Sequence, residues 1–560
     1  MADGASEKPA VEVVNITIDG RALQVPKGMN IIEAAKTIGI EIPHYCYHPK
    51  LSIVGNCRMC KVEVVGAPKL EIGCNLAARE GLEVKTGSTS QRVKDTQAAN
   101  LEFILINHPL DCTVCDQAGH CKLQDYHYEY NAKPSRFVEE KEHKVKAEPL
   151  GPTVMLDGER CIMCTRCIRF CDEITGTSEL GMLNRGDRSV IAVSPDRPLD
   201  NPLSGTVVDL CPVGALTHSK WRFNTRVWFT SATDSICPGC STGCNVKVHE
   251  RDGEIVQVKG RMNEKVNQEW LCDEGRYGFN RFLPERRLTA PRVGDKVVTI
   301  EEALKSAEGF LGNQTLVFIS PDLTLEEYLT LKLYLDKVVK KYRAVVAYRE
   351  RELSEVEKIL VSPDYAANFQ GAVLAGLVSG DLEAEYESAL AEVSAGSAER
   401  ILFVGERSIL AEDRDARLFH GLAAAKMSLG ILSDADSGLV TSLKIVLPGR
   451  SILEKSGMMV NRTGRLQYAQ AVVRAPETSS AEWHHLLLLA ARHRVNLLPG
   501  LSPQGLVGDR DITNEHLKID KRFSGLTIRR IKDGGVSLDD LAAALRPESG
   551  SAAEQPAGGQ

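Results

Sequence analysis

From residue 13 onward the chain alternates apolar and polar positions. Val14, Ile16 and Ile18 fall on one side and Asn15 and Thr17 on the other, which predicts a strand over 14–18. Asp19-Gly20 is a hairpin signal, so 21–25 should pair back onto that strand. A helical pattern over 31–38 stops at Gly39. Strands over 61–65 and 69–72 flank Gly66-Ala67-Pro68, and 82–85 reads as a last strand. Residues 90–150 read as helical and then charged and irregular. Residues 151–220 show short strands between cysteine-rich loops, and 222–283 form another small cysteine-bearing stretch. After 284 the pattern changes. Strand-like runs at 316–319, 345–348, 401–404 and 444–447 alternate with helical stretches such as 325–339, an α/β pattern that predicts a parallel sheet. Ser537 with Asp540 predicts a capping box for a helix ending near Leu545, and the Gly-, Ser-, Ala- and Gln-rich tail 547–560 is expected to be disordered. The longest apolar run, 486–491, is far short of the roughly 20 residues that cross a bilayer.

Bulk composition narrows the class. Apolar residues make up 43% and charged residues 26%, ordinary values for a globular protein, and the net charge of −7 argues against a nucleic-acid partner. The opening MADGASEKPAVEV has neither an apolar core nor a cleavage site, so no secretory signal and no direct membrane insertion are expected.

The cysteines carry the chemistry. There are sixteen, none beyond residue 272, and many lie in Cys-x-x-Cys pairs. In a large chain without an export signal that usage points to metal or redox sites rather than disulfides. Four sets emerge. The first is Cys46, Cys57, Cys60 and Cys74, a loop plus one distant cysteine, as a [2Fe–2S] cluster requires; ten residues separate Cys46 from Cys57, wider than the plant-ferredoxin spacing. The second is His108, Cys112, Cys115 and Cys121 within HPLDCTVCDQAGHC, with His120 as a competing ligand. The third, Cys161, Cys164, Cys167 and Cys211, begins with CIMCTRCIRFC, close to the bacterial ferredoxin run, and leaves Cys171 as a buried free thiol. The fourth is Cys237, Cys240, Cys244 and Cys272. Zinc also favours such donor sets and stays open on chemistry alone, above all for the second. No G-x-G-x-x-G or P-loop is present, so no nucleotide site and no catalytic residue are expected.

Several of these strings carry a resemblance. The first loop is similar to that of complex I and of NAD-linked hydrogenase subunits, and the HPLDCTVCDQAGHC segment resembles the His-ligated [4Fe–4S] segment of complex I and iron-only hydrogenases. The fourth set, with CPGCSTGCNVKV and LCDEGRYGFN, resembles the [4Fe–4S] domain of molybdopterin oxidoreductases such as formate dehydrogenases. In this order the pattern resembles the large iron–sulfur subunit, of the G type, of bacterial respiratory NADH:quinone oxidoreductase (complex I). That resemblance implies a multidomain α+β then α/β fold: a β-grasp [2Fe–2S] domain at 10–89, a His(Cys)₃ [4Fe–4S] domain at 90–150, a ferredoxin-type domain at 151–221, a molybdopterin-type [4Fe–4S] domain at 222–283 and a truncated molybdopterin-oxidoreductase-like α/β region at 284–546.

It further implies one [2Fe–2S] and three [4Fe–4S] clusters on the sets above, and one-electron transfer from a flavin/NADH-binding subunit toward quinone. The expected place is the peripheral arm of a complex on the cytoplasmic side of the inner membrane. The alternative is an iron–sulfur subunit of a NAD-linked hydrogenase or formate dehydrogenase complex. Residues 454–467 (EKSGMMVNRTGRLQ) resemble a segment near the pterin of molybdopterin enzymes. With no cysteine after 272 and few residues remaining, Asn461, Gly464 and Arg465 are expected to be structural and no molybdopterin is expected.

Overall fold

The computed structural model describes residues 12–130, 133–310, 314–502, 505 and 507–544. The chain divides into two compact units, Met1–Thr230 and Ser231–Gln560.

In the first unit, β1 (Val13–Ile18) and β2 (Arg21–Pro26) form the expected hairpin. Asp19 and Gly20 both take positive φ, as the tight turn demands. The Asp19 carboxylate also accepts from the Thr86 amide at 2.7 Å, tying the turn to the end of a later strand. Helix α1 (Ile31–Thr37) is capped by Asn30 and buries Ile31, Ile32, Ala34 and Ala35. Strands β3 (Lys61–Val64), β4 (Glu71–Ile72) and β5 (Leu82–Lys85) complete a sheet of order β2-β1-β5-β3-β4, in which β5 runs parallel to β1. Its inner face (Val14, Ile16, Ile18, Val62, Val84) packs with α1 in one apolar core. The fourth strand is shorter than its sequence suggests: only Glu71 and Ile72 pair, with Val62 and Lys61.

Helices α2 (Gln91–Leu105) and α3 (Lys122–Tyr130) follow. Then come β6 (Glu148–Pro149), β7 (Val154–Leu156), α4 (Arg166–Glu173), β8 (Leu180–Leu183), β9 (Val190–Val193), α5 (Thr206–Leu210) and β10 (Leu216–His218). The small sheet β10-β7-β6 and the β8–β9 hairpin frame the loops that enter α4 and leave α5.

The second unit opens with an antiparallel meander, Ser231–Ile236, Asn245–Arg251 and Glu254–Gly260. A seven-stranded sheet follows. Five strands are parallel, in the spatial order Ile445–Pro448, Met427–Leu432, Arg400–Val404, Thr315–Ile319, Tyr342–Val346. The hairpin Arg292–Val293/Lys296–Val297 adds antiparallel beside Ile445–Pro448, so the expected parallel sheet is mixed. Successive residues bury opposite faces: Leu316, Phe318, Ile401 and Phe403 go into one core, Val317, Ile319, Leu402 and Val404 into the other. The strand expected at 345–348 begins earlier, at Tyr342, where polar Tyr342 and Arg343 hide its start from a hydrophobicity reading. The helix expected at 325–339 is α-helical over Leu325–Tyr334 and closes with a π turn at Leu335–Val339. Lys455, buried, bonds Glu327 at 2.9 Å and Glu482 at 2.7 Å. The Asp540 amide reaches Ser537 Oγ at 3.5 Å, the forward half of the expected capping box. Leu545 and the tail 547–560 lie outside the described residues. No described helix is long and apolar enough to cross a membrane.

Candidate iron–sulfur centres

The first set sits on the loop between α1 and β3 and on the turn after β4. Cys46, Cys60 and Cys74 are buried and Cys57 half-buried. The amides of Tyr45 and Cys46 both point at Cys57 Sγ, at 3.5 Å each. Gly55 takes φ +59°, which lets the loop double back. A hydrogen bond with Cys57 pulls the Cys46 thiol below its usual pKa range and pushes Cys57 above it; Cys60 and Cys74 form a second such pair, with Cys74 lowered and Cys60 raised.

The second set spans the end of α2, the turn at Cys112–Val114 and the start of α3. His108, Cys112, Cys115 and Cys121 line one cavity, and His120 is not among its lining residues. His108 Nδ1 is buried with no hydrogen-bond partner among the described residues. Burial, then the charges of Lys141 and Arg160, hold this imidazole down to about 4, so at neutral pH the ring is uncharged and has a lone pair to give. Asp111, next to Cys112, accepts from Arg160 Nη2 at 3.0 Å and Lys146 Nζ at 2.8 Å, which fixes the loop. Gly214 closes the far wall: a Cβ there would lie 2.1 Å from Cys115 Sγ.

The third set is carried by the loop into α4 and by the residue that ends α5. Cys161, Cys164, Cys167 and Cys211 line one cavity with Leu156, Ile191 and Leu216. Met163 and Thr165 both adopt left-handed φ (53° and 61°), a strained conformation of the kind that clusters at ligand clamps. Burial pushes Cys161 up to about 11 and Cys211 up to about 12. Cys171 is fully buried on α4 and does not line the cavity.

The fourth set lies in the second unit. Cys237 follows the first meander strand, Cys240 and Cys244 occupy the next loop, and Cys272 caps the helix Asp273–Tyr277 through its sulfur. All four line one cavity with Arg351, Asp364 and Tyr365. Gly275 leaves room there: a Cβ would sit 3.2 Å from both Cys237 Sγ and Cys272 Sγ, tighter than ordinary contact. Burial pushes Cys272 up to about 12 and raises Cys237 and Cys244 further. The loop is pinned from outside. Asp364 accepts from the Ser241 amide at 2.9 Å, Asn461 donates to Thr242 O at 3.2 Å and Gln467 donates to Gly243 O at 3.0 Å. Asn461 Oδ1 also accepts from Arg465 N at 2.9 Å across the turn at Gly464 (φ +70°), and Arg465 donates to Gly535 O. The segment 454–467 thus braces the cysteine loop.

In the third and fourth sets, burial raises the thiols whose acidity it shifts, so a bound cation must draw their protons off; buried thiols meeting in one cavity suit metal–thiolate bonding. Among the described residues, no three Cys, His, Asp or Glu side chains converge closely enough to hold a single ion; the sulfurs ring cavities instead. Sequence reasoning missed Gly214, Gly275, Asp364 and the two arginines of α4, since their roles depend on contacts made across the chain.

Family models match in the same order as the four sets. They are a 2Fe-2S iron-sulfur cluster binding domain at 11–89, the NADH-ubiquinone oxidoreductase-G iron-sulfur binding region at 97–136, the NADH-quinone oxidoreductase subunit 3 ferredoxin-like domain at 151–217 and the molybdopterin oxidoreductase Fe4S4 domain at 230–283. The G subunit of the NADH-quinone oxidoreductase of Streptomyces coelicolor is 38% identical over 332 residues, 58% of this chain and 39% of that one. The mitochondrial NADH dehydrogenase [ubiquinone] iron-sulfur protein 1 of Solanum tuberosum is 40% identical over 282 residues, 50% and 38% of the two chains. The mitochondrial NADH-ubiquinone oxidoreductase 78 kDa subunit of Candida albicans is 41% identical over 307 residues, 54% and 42%. The chain thus spans about two fifths of the length of these relatives. A solved NAD+-reducing [NiFe]-hydrogenase in the H2-reduced state is 31% identical over 38% of this chain and 91% of its own, with a TM-score of 0.35. Over its iron–sulfur regions, about half of its length, the chain is similar to NADH-quinone oxidoreductase G subunits.

Proposed function

We propose that this chain is an electron-transfer subunit of an NADH:quinone oxidoreductase, passing electrons singly from an NADH/flavin subunit toward quinone-side subunits. Cys46, Cys57, Cys60 and Cys74 hold a [2Fe–2S] cluster. His108 with Cys112, Cys115 and Cys121, Cys161 with Cys164, Cys167 and Cys211, and Cys237 with Cys240, Cys244 and Cys272 hold [4Fe–4S] clusters. When bound, each cluster supplies a centre that takes up and gives back one electron. The protein's part is to fix spacing, exclude water and set the charge around each centre.

One observation carries the reading: three cysteine sets share the first unit, with close contacts running between them. Arg169 Nη2 bonds Cys46 O and Cys164 O, joining the first set to the third. Cys121 Sγ lies 3.9 Å from Pro212 O, the carbonyl that follows Cys211, joining the second to the third. An imidazole at His108 in place of a thiolate removes negative charge and raises the potential of the second centre. For the fourth set we propose a side position that stabilises the fold. The region after 284 we read as a molybdopterin-oxidoreductase-like scaffold without pterin, because Asn461 and Arg465 are engaged in bracing the fourth loop. In the assembled complex the chain sits peripherally on the cytoplasmic face of the membrane.

The test is metal analysis and EPR on anaerobically purified chain. The expected result is about 14 iron atoms per chain, from one [2Fe–2S] and three [4Fe–4S] clusters, with no molybdenum. One [4Fe–4S] signal should change in His108→Cys. Zinc in place of iron after anaerobic reconstitution would overturn the proposal, and stoichiometric molybdenum would overturn the scaffold reading.

A further inference from the structure

Helix α4 (Arg166–Glu173) carries two guanidinium groups into the interior between the first and third cysteine sets. Arg169 is buried and its Nη2 is shared by two carbonyl oxygens, Cys46 O at 2.6 Å and Cys164 O at 3.2 Å. Its Nη1 donates to Ser52 O and its Nε to Thr165 Oγ1 at 3.3 Å. Arg166 donates to Tyr47 O and, at 3.3 Å, to Leu210 O, the carbonyl before Cys211. All of these acceptors are neutral oxygens, and among the described residues no carboxylate forms an ion pair with either cation. Burying a guanidinium without a counter-charge is costly. The compensating charge at hand is that of the two thiolate sets themselves, each of which becomes negative once it binds iron.

We propose that Arg169, assisted by Arg166, is a positioning residue for electron transfer between the first and third centres: its charge favours the reduced state of both, and its shared nitrogen supplies the shortest bonded route between them. This inference rests on the cluster assignment proposed above. The route runs from each sulfur through Cβ, Cα and the carbonyl carbon to the oxygen that Nη2 binds. An electron crossing it oxidises the [2Fe–2S] centre and reduces the ferredoxin-type centre, with no bond made or broken and no proton moved. The electron is supplied by a one-electron donor such as a reduced flavin or cluster in a partner. The contact between the two loops does not depend on Arg169 alone. Asn56 Nδ2 donates to Met163 O at 3.0 Å, and the Ser52 amide donates to Glu173 Oε2 at 2.8 Å. A variant at 169 therefore keeps other ties, and Glu173→Gln weakens a tie without removing a cation.

The experiment uses the full chain, reconstituted anaerobically, with EPR-monitored redox titration and pulse-radiolysis kinetics. Arg169→Gln removes charge and bridge together. It should keep both signals and shift each reduction equilibrium at least tenfold toward the oxidised form, which is about 59 mV for a one-electron couple. Arg169→Lys keeps the charge but has no planar fork to span two carbonyls. Its equilibria should stay within threefold of the parent while transfer between the two centres slows at least tenfold. Glu173→Gln should change neither. Unshifted equilibria in Arg169→Gln, or parental transfer rates in Arg169→Lys, would overturn the proposal. If Arg169→Gln fails to load a cluster, the Arg169→Lys kinetics decide alone. Absence of both EPR signals from the parent chain would sink the cluster assignment, and this inference with it.

Discussion

The loop around the third cysteine set and the sheet of the second unit are held together by different means. The loop places Met163 and Thr165 in left-handed conformations, each costing of order 1 kcal/mol or more, and gathers four thiols against only a few aliphatic side chains. Buried neighbours such as Phe170, Leu203 and Val207 hold the frame around it, but the strained loop itself converges on its thiols. The sheet needs no such help. Its central strands bury both faces, Phe318 stacks on Phe403 with ring centroids 5.1 Å apart, and Tyr386 meets the Phe318 ring edge-on. On the proposed cluster assignment, one region leaves its final geometry to iron–thiolate bonds, while the other reaches it by burial.

Iron removal tests this contrast with the largest effect. Chelated, iron-free chain should lose hydrogen-exchange protection over 161–171 and 206–218 while Thr315–Ile319 and Arg400–Val404 keep theirs. Equal protection in both regions would erase the distinction. Phe318→Ala works from the other side. It should cost the second unit about 3–5 kcal/mol, read as a lower denaturant midpoint, and leave the EPR signals of the first three sets unchanged. The smallest effect is a proton count. His516 is buried, its Nε2 bonds Thr330 Oγ1 at 3.0 Å, and burial holds its ring down to about 4 against an ordinary 6.5. Between those two values the unfolded chain takes up a proton that the fold refuses. Stability therefore falls as pH drops from about 6.5 to about 4, by up to ~1.4 kcal/mol per pH unit for this one ring. His516→Gln should make the acid arm of the stability curve shallower by one proton. An unchanged slope would show that the ring is solvated.

The strands of the first sheet are legible because they are short, amphipathic and bounded by turn residues such as Asp19-Gly20. The parallel strands of the second unit announce themselves as apolar runs. The cysteine spacings single out groups of side chains that the fold brings together, since thiol-rich loops leave a local signature. Contacts made across the chain leave none. Arg166 and Arg169 carry no signal of their own in the sequence, and only the approach of the Cys46 loop gives them carbonyl partners. Gly214 and Gly275 are ordinary loop glycines until a sulfur arrives at their open side. A hydrophobicity reading misplaces the strand Tyr342–Val346 because its first residues are polar and its limits are set by pairing with Thr315–Ile319.

The bracing of the fourth loop by Asp364, Asn461 and Gln467 has a consequence for biosynthesis. Every cysteine and histidine of the first three sets has been added once Cys211 is in the chain, with more than half of the given sequence still to be made. The fourth loop has to wait until Gln467 is available and until Thr315–Ile319 has found Arg400–Val404, a distant pairing of the slow kind. At about 5–20 residues per second that interval lasts on the order of 10–50 s. On the proposed cluster assignment, loading of this chain with iron is therefore staggered: the early thiols are made and oxygen-sensitive while the last site is still being translated.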